Sequence, residues 1–413
     1  MTETTAITPI RTFEESHEFL DFAKRQLDIG AEEPNFINPY FMPHDSALRD
    51  TSMFQGREVA NFGSYNYIAM SGDPEVNQAA IDAIRQYGTS ASGSRLIAGE
   101  KTIHGELEAK IAQWKHTEDA IVLVSGHATN VTFVGNFCGP KDLILYDLLC
   151  HNSILEGIRL SRSDARAFGH NDYTRLEMIL KNNRHKYEKV LIVVEGVYSM
   201  DGDIAPIPEF VRLKKEYGCI LMVDEAHSAG VIGEHGGGVD DYFGLEPTDI
   251  DVKMGTLSKA LGTCGGYLAG SHNLIHYLRY NLPGFVFSVG LSPALAAASL
   301  KALDVLKREP ERVRRLHENI AFFSQEAERL GFDMKRAKGT AILPIVIGQD
   351  ELTLEMSLKM LEQGVAVPPA LYPAVPRNKG RLRFCVNSLH SEDEITYALE
   401  TLRRLMDASE YTD

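Results

Sequence analysis

Residues 219–230 read CILMVDEAHSAG, and residues 251–267 read DVKMGTLSKALGTCGGY. In the first a short apolar run gives way to a charge at Asp224, and in the second Lys259 stands among small residues directly after another short run. Near-continuous apolar runs of this length suit strands covered on both faces. A carboxylate at the end of such a strand is unfavourable unless a cation pairs with it. A lysine is ordinarily solvated. Lys259, however, stands among Gly255, Thr256, Ser258, Ala260, Gly262, Gly265 and Gly266, which leave room for a flat ligand beside the amine. An amine desolvated there loses basicity and becomes a nucleophile for carbonyls.

The same texture extends outward. AIVLVSG (120–126), LILYD (143–147), KVLIVVEGVYS (189–199) and GGYLAG (265–270) alternate with helical stretches such as ELEAKIAQWKH (106–116) and IPEFVRLKKEYG (207–218), the latter closing at Gly218. This predicts an α/β unit with a mostly parallel central sheet, in which ligands collect outside the carboxyl ends of the strands. Beyond residue 301 two helices flank Pro310, the second running from Glu311 to Leu330. A strand AILPIVIG (341–348), a helix LTLEMSLKMLEQG (352–364), a loop with Pro368, Pro369, Pro373 and Pro376, and a strand RLRFCVNS (381–388) follow. Ser391 and Glu394 have capping-box spacing at the last helix. The expected division is an N-terminal segment 1–58, a large domain 59–300 and a smaller C-terminal α+β domain 301–413. In the first segment Phe19, Leu20, Ala23 and Leu27 are spaced for a helix, giving way at Gly30 to the turn-rich EEPNFINPYFMPHDS.

Composition narrows the function. The 413 residues are 44% apolar and 24% charged, ordinary for a globular chain. With 57 acidic against 42 basic residues the net charge is −15, and no basic run offers a nucleic-acid or membrane surface. No apolar run approaches the ~18 residues of a membrane span, and the polar opening MTETTAITPI is not a signal peptide, so the expected location is cytoplasmic. The five cysteines (Cys138, Cys150, Cys219, Cys264, Cys385) form no CxxC pair and no zinc or other metal pattern, and are read as reduced core residues.

Asp224-Glu225-Ala226-His227 also spells a helicase-type string, which requires a phosphate loop. The nearest candidate, Gly93 to Thr102, has its glycine one residue late and sets Glu100 before Lys101, opposing a triphosphate. That reading is rejected, and a plain helix N-cap remains the bland alternative for Asp224. A strand-end acid and a pocketed lysine are what pyridoxal 5'-phosphate chemistry needs: Lys259 for the Schiff base, and Asp224 to keep the ring nitrogen protonated. A phosphate would then sit on the amides of Ser125, Gly126 and His127 at a helix start, with the hydroxyls of Thr256 and Ser258 beside it. His151 is placed to stack on the ring, Ser199 and His227 to reach the phenolic oxygen, and Arg383 to pair with an amino-acid carboxylate.

The strings SYNYIAMSG, YGTSASGSRLIAGEKTIHGELE, HNSILEG, EGVYSMDGDIAP, VDEAHSAGVIGEHGGG, GTLSKALGTCGGY and RLRFCVNSLHSEDEI resemble the α-oxoamine synthases over roughly residues 35–410. The wording is most similar to members that accompany polyketide or other secondary-metabolite pathways. The resemblance implies a fold-type I homodimer with shared active sites and a decarboxylative Claisen condensation of an amino acid with an acyl thioester, carried on an acyl-carrier protein or CoA. It implies Lys259, Asp224, His151 and His227 as catalytic residues, and Ser125, Gly126, His127, Ser199, Thr256 and Ser258 around the cofactor. Ser288 is implied to reach the phosphate from the other subunit, with Asn66 and Arg383 near substrate. His127 departs from the usual aromatic Tyr or Phe, and Val289 stands where some relatives carry Thr. Aminotransfer, aldol cleavage and a silent partner subunit are the competing readings, and the intact Lys259 argues against the last.

Overall fold

The computed structural model describes residues 10–28, 37–337 and 339–409. Expectations for Met1–Pro9 and for the start of the turn-rich stretch from Gly30 lie outside these residues. Thirteen strands are described: β1 (Thr51–Phe54), β2 (Arg57–Asn61), β3 (Asp119–Leu123), β4 (Leu143–Asp147), β5 (Asp164–Phe168), β6 (Val190–Glu195), β7 (Ile220–Asp224), β8 (Val252–Thr256), β9 (Gly266–Gly270), β10 (Ile342–Gly348), β11 (Val365–Ala366), β12 (Pro369–Ala370) and β13 (Gly380–Cys385).

The central sheet has the order β3-β9-β8-β7-β6-β4-β5. All pairings are parallel except those of β9, which runs antiparallel to both β3 and β8. This is a fold-type I α/β architecture. Alternate residues of one strand go to opposite faces, so a doubly covered sheet needs both sets apolar. The strands obey this. Leu191 and Val193 of β6 join Ile121, Ile144, Met222 and Leu268 in one core, packed against Phe133, Val134 and Ile154. Val190, Ile192 and Val194 join Leu143, Leu145, Leu221 and Val223 in the other, packed against Leu176, Phe210 and Leu213.

Two smaller sheets complete the fold, β1-β2-β11 and β10-β13-β12. The strand Arg57–Asn61 runs across the expected boundary at 58 and pairs in parallel with β11. Helices flank Pro310 at Pro293–Arg308 and Glu311–Arg329, and the Ser391–Glu394 capping box is formed. Gly218 ends the Ile207–Tyr217 helix with a left-handed φ of 61°, a conformation that glycine adopts without steric penalty. Among the described residues no helix is long and apolar enough to cross a membrane.

One charged cluster lies wholly inside. Lys115 Nζ is 2.5 Å from Glu225 Oε2, and Lys253 Nζ is 3.0 Å from Asp240 Oδ2. Two cations and two anions cancel, as burial of charge requires.

Candidate active site

Five strands deliver their carboxyl ends to one place. After β3, Ser125 caps the Gly126–Phe137 helix, accepting from the Ala128 N–H at 3.4 Å. The first amides of a helix have no intrahelical partner and suit an anion. The loop after β8 faces this helix start: Thr256 Oγ1 lies 2.7 Å from Ser258 Oγ and donates to Gly265 O at 3.0 Å. A Cβ at Gly126 would stand 2.8 Å from Thr256 Oγ1, so only glycine lets loop and helix approach this closely. Ser125, Gly126, His127, Thr256 and Ser258 thereby line one end of a cavity of about 230 Å³.

The other end is lined by His151, Asp224, His227 and Lys259. Asp224 closes β7, buried, and accepts from Asn130 Nδ2 at 2.7 Å and from the Ala226 N–H at 2.9 Å. No helix follows directly, so the N-cap alternative is set aside. Lys259 Nζ lies 2.7 Å from His227 Nε2, whose Nδ1 is 2.9 Å from the Tyr67 hydroxyl. Burial lowers the Lys259 amine to about 8, with Asp224 opposing and Arg383 assisting that shift. Burial, reinforced by Lys259 and Arg383, holds His227 well below the ordinary histidine value, so the ring is neutral. An ammonium at Lys259 must donate to Nε2, which puts the His227 proton on Nδ1 and makes Tyr67 its acceptor.

Four expected site residues lie outside this cavity. Ser199 offers its carbonyl to Arg383 Nε at 2.6 Å. Arg383 is buried on β13, with its guanidinium 5.1 Å from the centre of the Tyr65 ring. Asn66 is committed to main chain, donating to Leu48 O and Ser71 O and accepting from the Ser71 N–H. Ser288 follows the Pro283–Val286 turn between two exposed apolar residues, Phe287 and Val289.

A family model described as aminotransferase class I and II matches residues 57–402. An 8-amino-7-oxononanoate synthase of Symbiobacterium thermophilum is 40% identical over 385 residues, 93% of this chain and 97% of that one. The 8-amino-7-oxononanoate synthase 1 of Bacillus subtilis is 39% identical over 348 residues, 84% and 88% of the two chains. A serine palmitoyltransferase of S. paucimobilis, solved with a bound PLP-myriocin aldimine, superposes with a TM-score of 0.90 at 28% identity, covering 96% of this chain and 99% of that one.

The chain belongs to the aminotransferase class I and II family, in its α-oxoamine synthase branch.

The cofactor of α-oxoamine synthases is pyridoxal 5'-phosphate, and the residues present fit it. The Gly126 cradle is a space that any Cβ would fill. The cavity joins anion-binding amides and hydroxyls at one end to an acid and an amine at the other. A larger cavity of about 660 Å³ opens beside the Glu311–Arg329 helix, between His317 and Phe332, but it holds no pocketed lysine facing a strand-end acid. Size alone does not identify the site.

Several residues of this α-oxoamine synthase site escape sequence reasoning. Asn130, Ser153 and Glu195 line the cavity; Asn130 stands one helical turn past Gly126, a position that by itself carries no mark of a site. Tyr65 and Tyr67 meet His227 from 160 residues away in sequence, and no local pattern signals that contact. The reading of all five cysteines as core residues is corrected at Cys264. This residue is exposed and lines the cavity because it lies in the glycine-rich lysine loop rather than on a strand. Glu100, the residue that spoils the phosphate-loop reading, instead pairs with the buried Arg95 at 2.5 Å.

Proposed function

We propose that this enzyme condenses an amino acid with an acyl thioester, releasing CO₂ and free thiol and leaving an α-amino ketone. The observation that carries the reading is the pairing of Asp224 and Lys259 across one small cavity whose far end suits a phosphate. Pyridoxal phosphate, when bound, supplies an electron-withdrawing ring that stabilises negative charge at the amino acid's Cα.

The chain's own residues do the rest. With the cofactor bound, Asp224 would hold the ring nitrogen's proton and His151 would cover one ring face. Lys259 takes the Cα proton, a role that favours an amine lowered to about 8 over an ordinary lysine. Ser199 and His227 serve the phenolic oxygen. Once Lys259 no longer donates to its Nε2, His227 can take the other tautomer, protonated at Nε2, and donate toward the developing oxyanion, with Tyr67 then donating to its Nδ1. Arg383 orients the substrate carboxylate with the N–H groups that Ser199 leaves available, and Asn66 shapes the loop beside it. Ser288 reaches the phosphate of a second copy, in a homodimer with shared sites. Two exposed strips support that dimer: Leu96 and Ile97 on one, Phe287 and Val289 on the other. They are tied together by Ser94 Oγ donating to Val286 O at 2.6 Å and the Gly290 N–H donating to Gly93 O at 3.0 Å.

The acyl donor is proposed to be a carrier-protein thioester, in a secondary-metabolite pathway in the cytoplasm. The motif wording supports this, and the 40% identity to 8-amino-7-oxononanoate synthases makes acyl-CoA the comparison donor. The test is a panel of amino acids against acyl-CoA and acyl-carrier donors, reading thiol and CO₂ together. Both should appear in equal amounts, faster with the carrier. Turnover of the amino acid without either product would instead indicate aminotransfer or aldol cleavage.

A further inference from the structure

Asn130 is buried, sits on the Gly126–Phe137 helix, and lies next to groups that the mechanism does use. Its side-chain nitrogen makes two hydrogen bonds, to Asp224 Oδ2 at 2.7 Å and to Ser153 Oγ at 3.0 Å. An amide NH₂ has two hydrogens, and both are used here. The orientation is therefore fixed: turned over, the amide oxygen would face the Asp224 carboxylate, acceptor against acceptor. The oxygen Oδ1 is buried with no partner among the described residues, an arrangement that is unfavourable on its own and persists only if the nitrogen's two contacts outweigh it.

The circuit continues through Ser153. Its hydroxyl accepts from Asn130, so its own hydrogen points to His151 Nδ1, 2.7 Å away. The Ser153 N–H also donates to that nitrogen, at 3.2 Å. Nδ1 is therefore an acceptor, and the His151 proton lies on Nε2. The main chain closes the loop: the His151 N–H donates to Glu195 Oε1 at 2.5 Å, and Glu195 is the register partner of Asp224 across β6 and β7. Burial, with Asp224 adding to it, raises Glu195 well above the ordinary carboxyl value.

We propose that Asn130 is a positioning residue that aims the Asp224 carboxylate at the cofactor ring nitrogen and couples it, through Ser153, to the ring-covering His151. The proposal rests on the cofactor reading above and extends it. One helix serves both ends of the site. Its first amides face the phosphate, and Asn130, about 6 Å further along the axis at 1.5 Å per residue, sets the acid at the ring's far end.

The test compares wild type, Asn130→Asp, Asn130→Ser and Ser153→Ala, each purified with pyridoxal phosphate bound. Each is titrated from pH 5 to 10 by cofactor absorbance, with thermal melting as a folding control. The titratable groups lining the cavity are His127, His151, Glu195, Asp224, His227, Lys259 and Cys264, with Arg383 acting on Lys259 from outside it, all retained in every variant. Asn130→Asp sets a second carboxyl against Asp224, and like charges at that distance oppose joint ionisation. A ring that has lost its proton withdraws fewer electrons, so the group joining it to Lys259 holds its own proton to higher pH. The absorbance midpoint should rise by about one pH unit in Asn130→Asp. It should rise less in Asn130→Ser and least in Ser153→Ala, and cofactor affinity should fall at least tenfold in Asn130→Asp. Folded Asn130 variants with an unchanged midpoint would make Asn130 a packing residue only and overturn the proposal. If Asn130→Asp does not fold, Asn130→Ser and Ser153→Ala decide in the same way. A wild type that takes up no pyridoxal phosphate would overturn the cofactor reading itself, a result distinct from a normal wild type with indifferent variants.

Discussion

Lys259 and His227 are 2.7 Å apart, and burial disfavours a proton on either. An amine captures an aldehyde only when neutral. With the Lys259 amine lowered to about 8, the neutral fraction grows with pH up to that value and is nearly complete above it. The rate at which cofactor-free protein captures pyridoxal phosphate should therefore rise about tenfold per pH unit below 8 and level off above it. Stopped-flow absorbance measures this. A flat profile between pH 6 and 9 would contradict it, and Lys259→Ala should lose the absorbance change that marks the cofactor joining the lysine. Asp224 is legible in the sequence because it is the charge that breaks an apolar run, and Lys259 because it stands among small residues just after one. Asn130 and Ser153 are not, because a polar residue near a helix start looks the same whether it faces solvent or a carboxylate.

At the scale of elements, the site depends on two close contacts between segments. Where the helix start meets the lysine loop, Gly126→Ala forces a Cβ to 2.8 Å from Thr256 Oγ1. Displacement of the loop should destabilise the protein by about 1–3 kcal/mol and weaken cofactor binding more than it lowers the melting temperature, as paired denaturation and equilibrium dialysis would reveal. The second contact is a latch. His170 bridges Asp147 at the end of β4 (3.1 Å) and Asp203 of the loop after β6 (2.8 Å), the loop that also carries Ser199. Burial alone would push this imidazole down, but the two carboxylates outweigh it and raise it to about 9. A group whose folded value exceeds its unfolded 6.5 stabilises fully below pH 6.5 and loses that contribution as pH climbs through 9. Urea midpoints should thus drop between pH 6.5 and 9.5, by on the order of 1–3 kcal/mol in stability, and His170→Gln should remove the drop. The long apolar strands could be read from their residues alone. Thr51–Phe54 and Arg57–Asn61, which form a tight hairpin, and the two-residue β11 and β12 could not, because runs this short show no clear alternation and β11 exists only through its pairing with the distant β2.

For the whole molecule, Ile97 is 86% and Phe287 87% exposed, and hydrogen bonds hold their two segments together. Large apolar side chains grouped on a rigid surface mark an interface. Ile97→Glu together with Phe287→Glu should convert the proposed dimer to monomer in sedimentation velocity. The sites should also lose phosphate affinity, because Ser288 departs with the partner. An unchanged sedimentation coefficient would refute the assembly. The class of architecture was readable from alternating runs and helices, whereas these exposed apolar strips were not, since exposure of an apolar residue is decided by tertiary packing. The antiparallel β9 has a wider consequence. With its neighbour β8 it makes residues 252–270 a hairpin, closed by Leu257 N–H to Gly265 O and Thr263 N–H to Leu257 O, both at 2.9 Å. Lys259 therefore travels on a contiguous cassette that could be exchanged with that of a relative as one insert. Chimeras built this way should inherit cofactor capture from the donor hairpin and keep the substrate preference of the recipient, since Tyr65 and Arg383 reach the site from other parts of the chain.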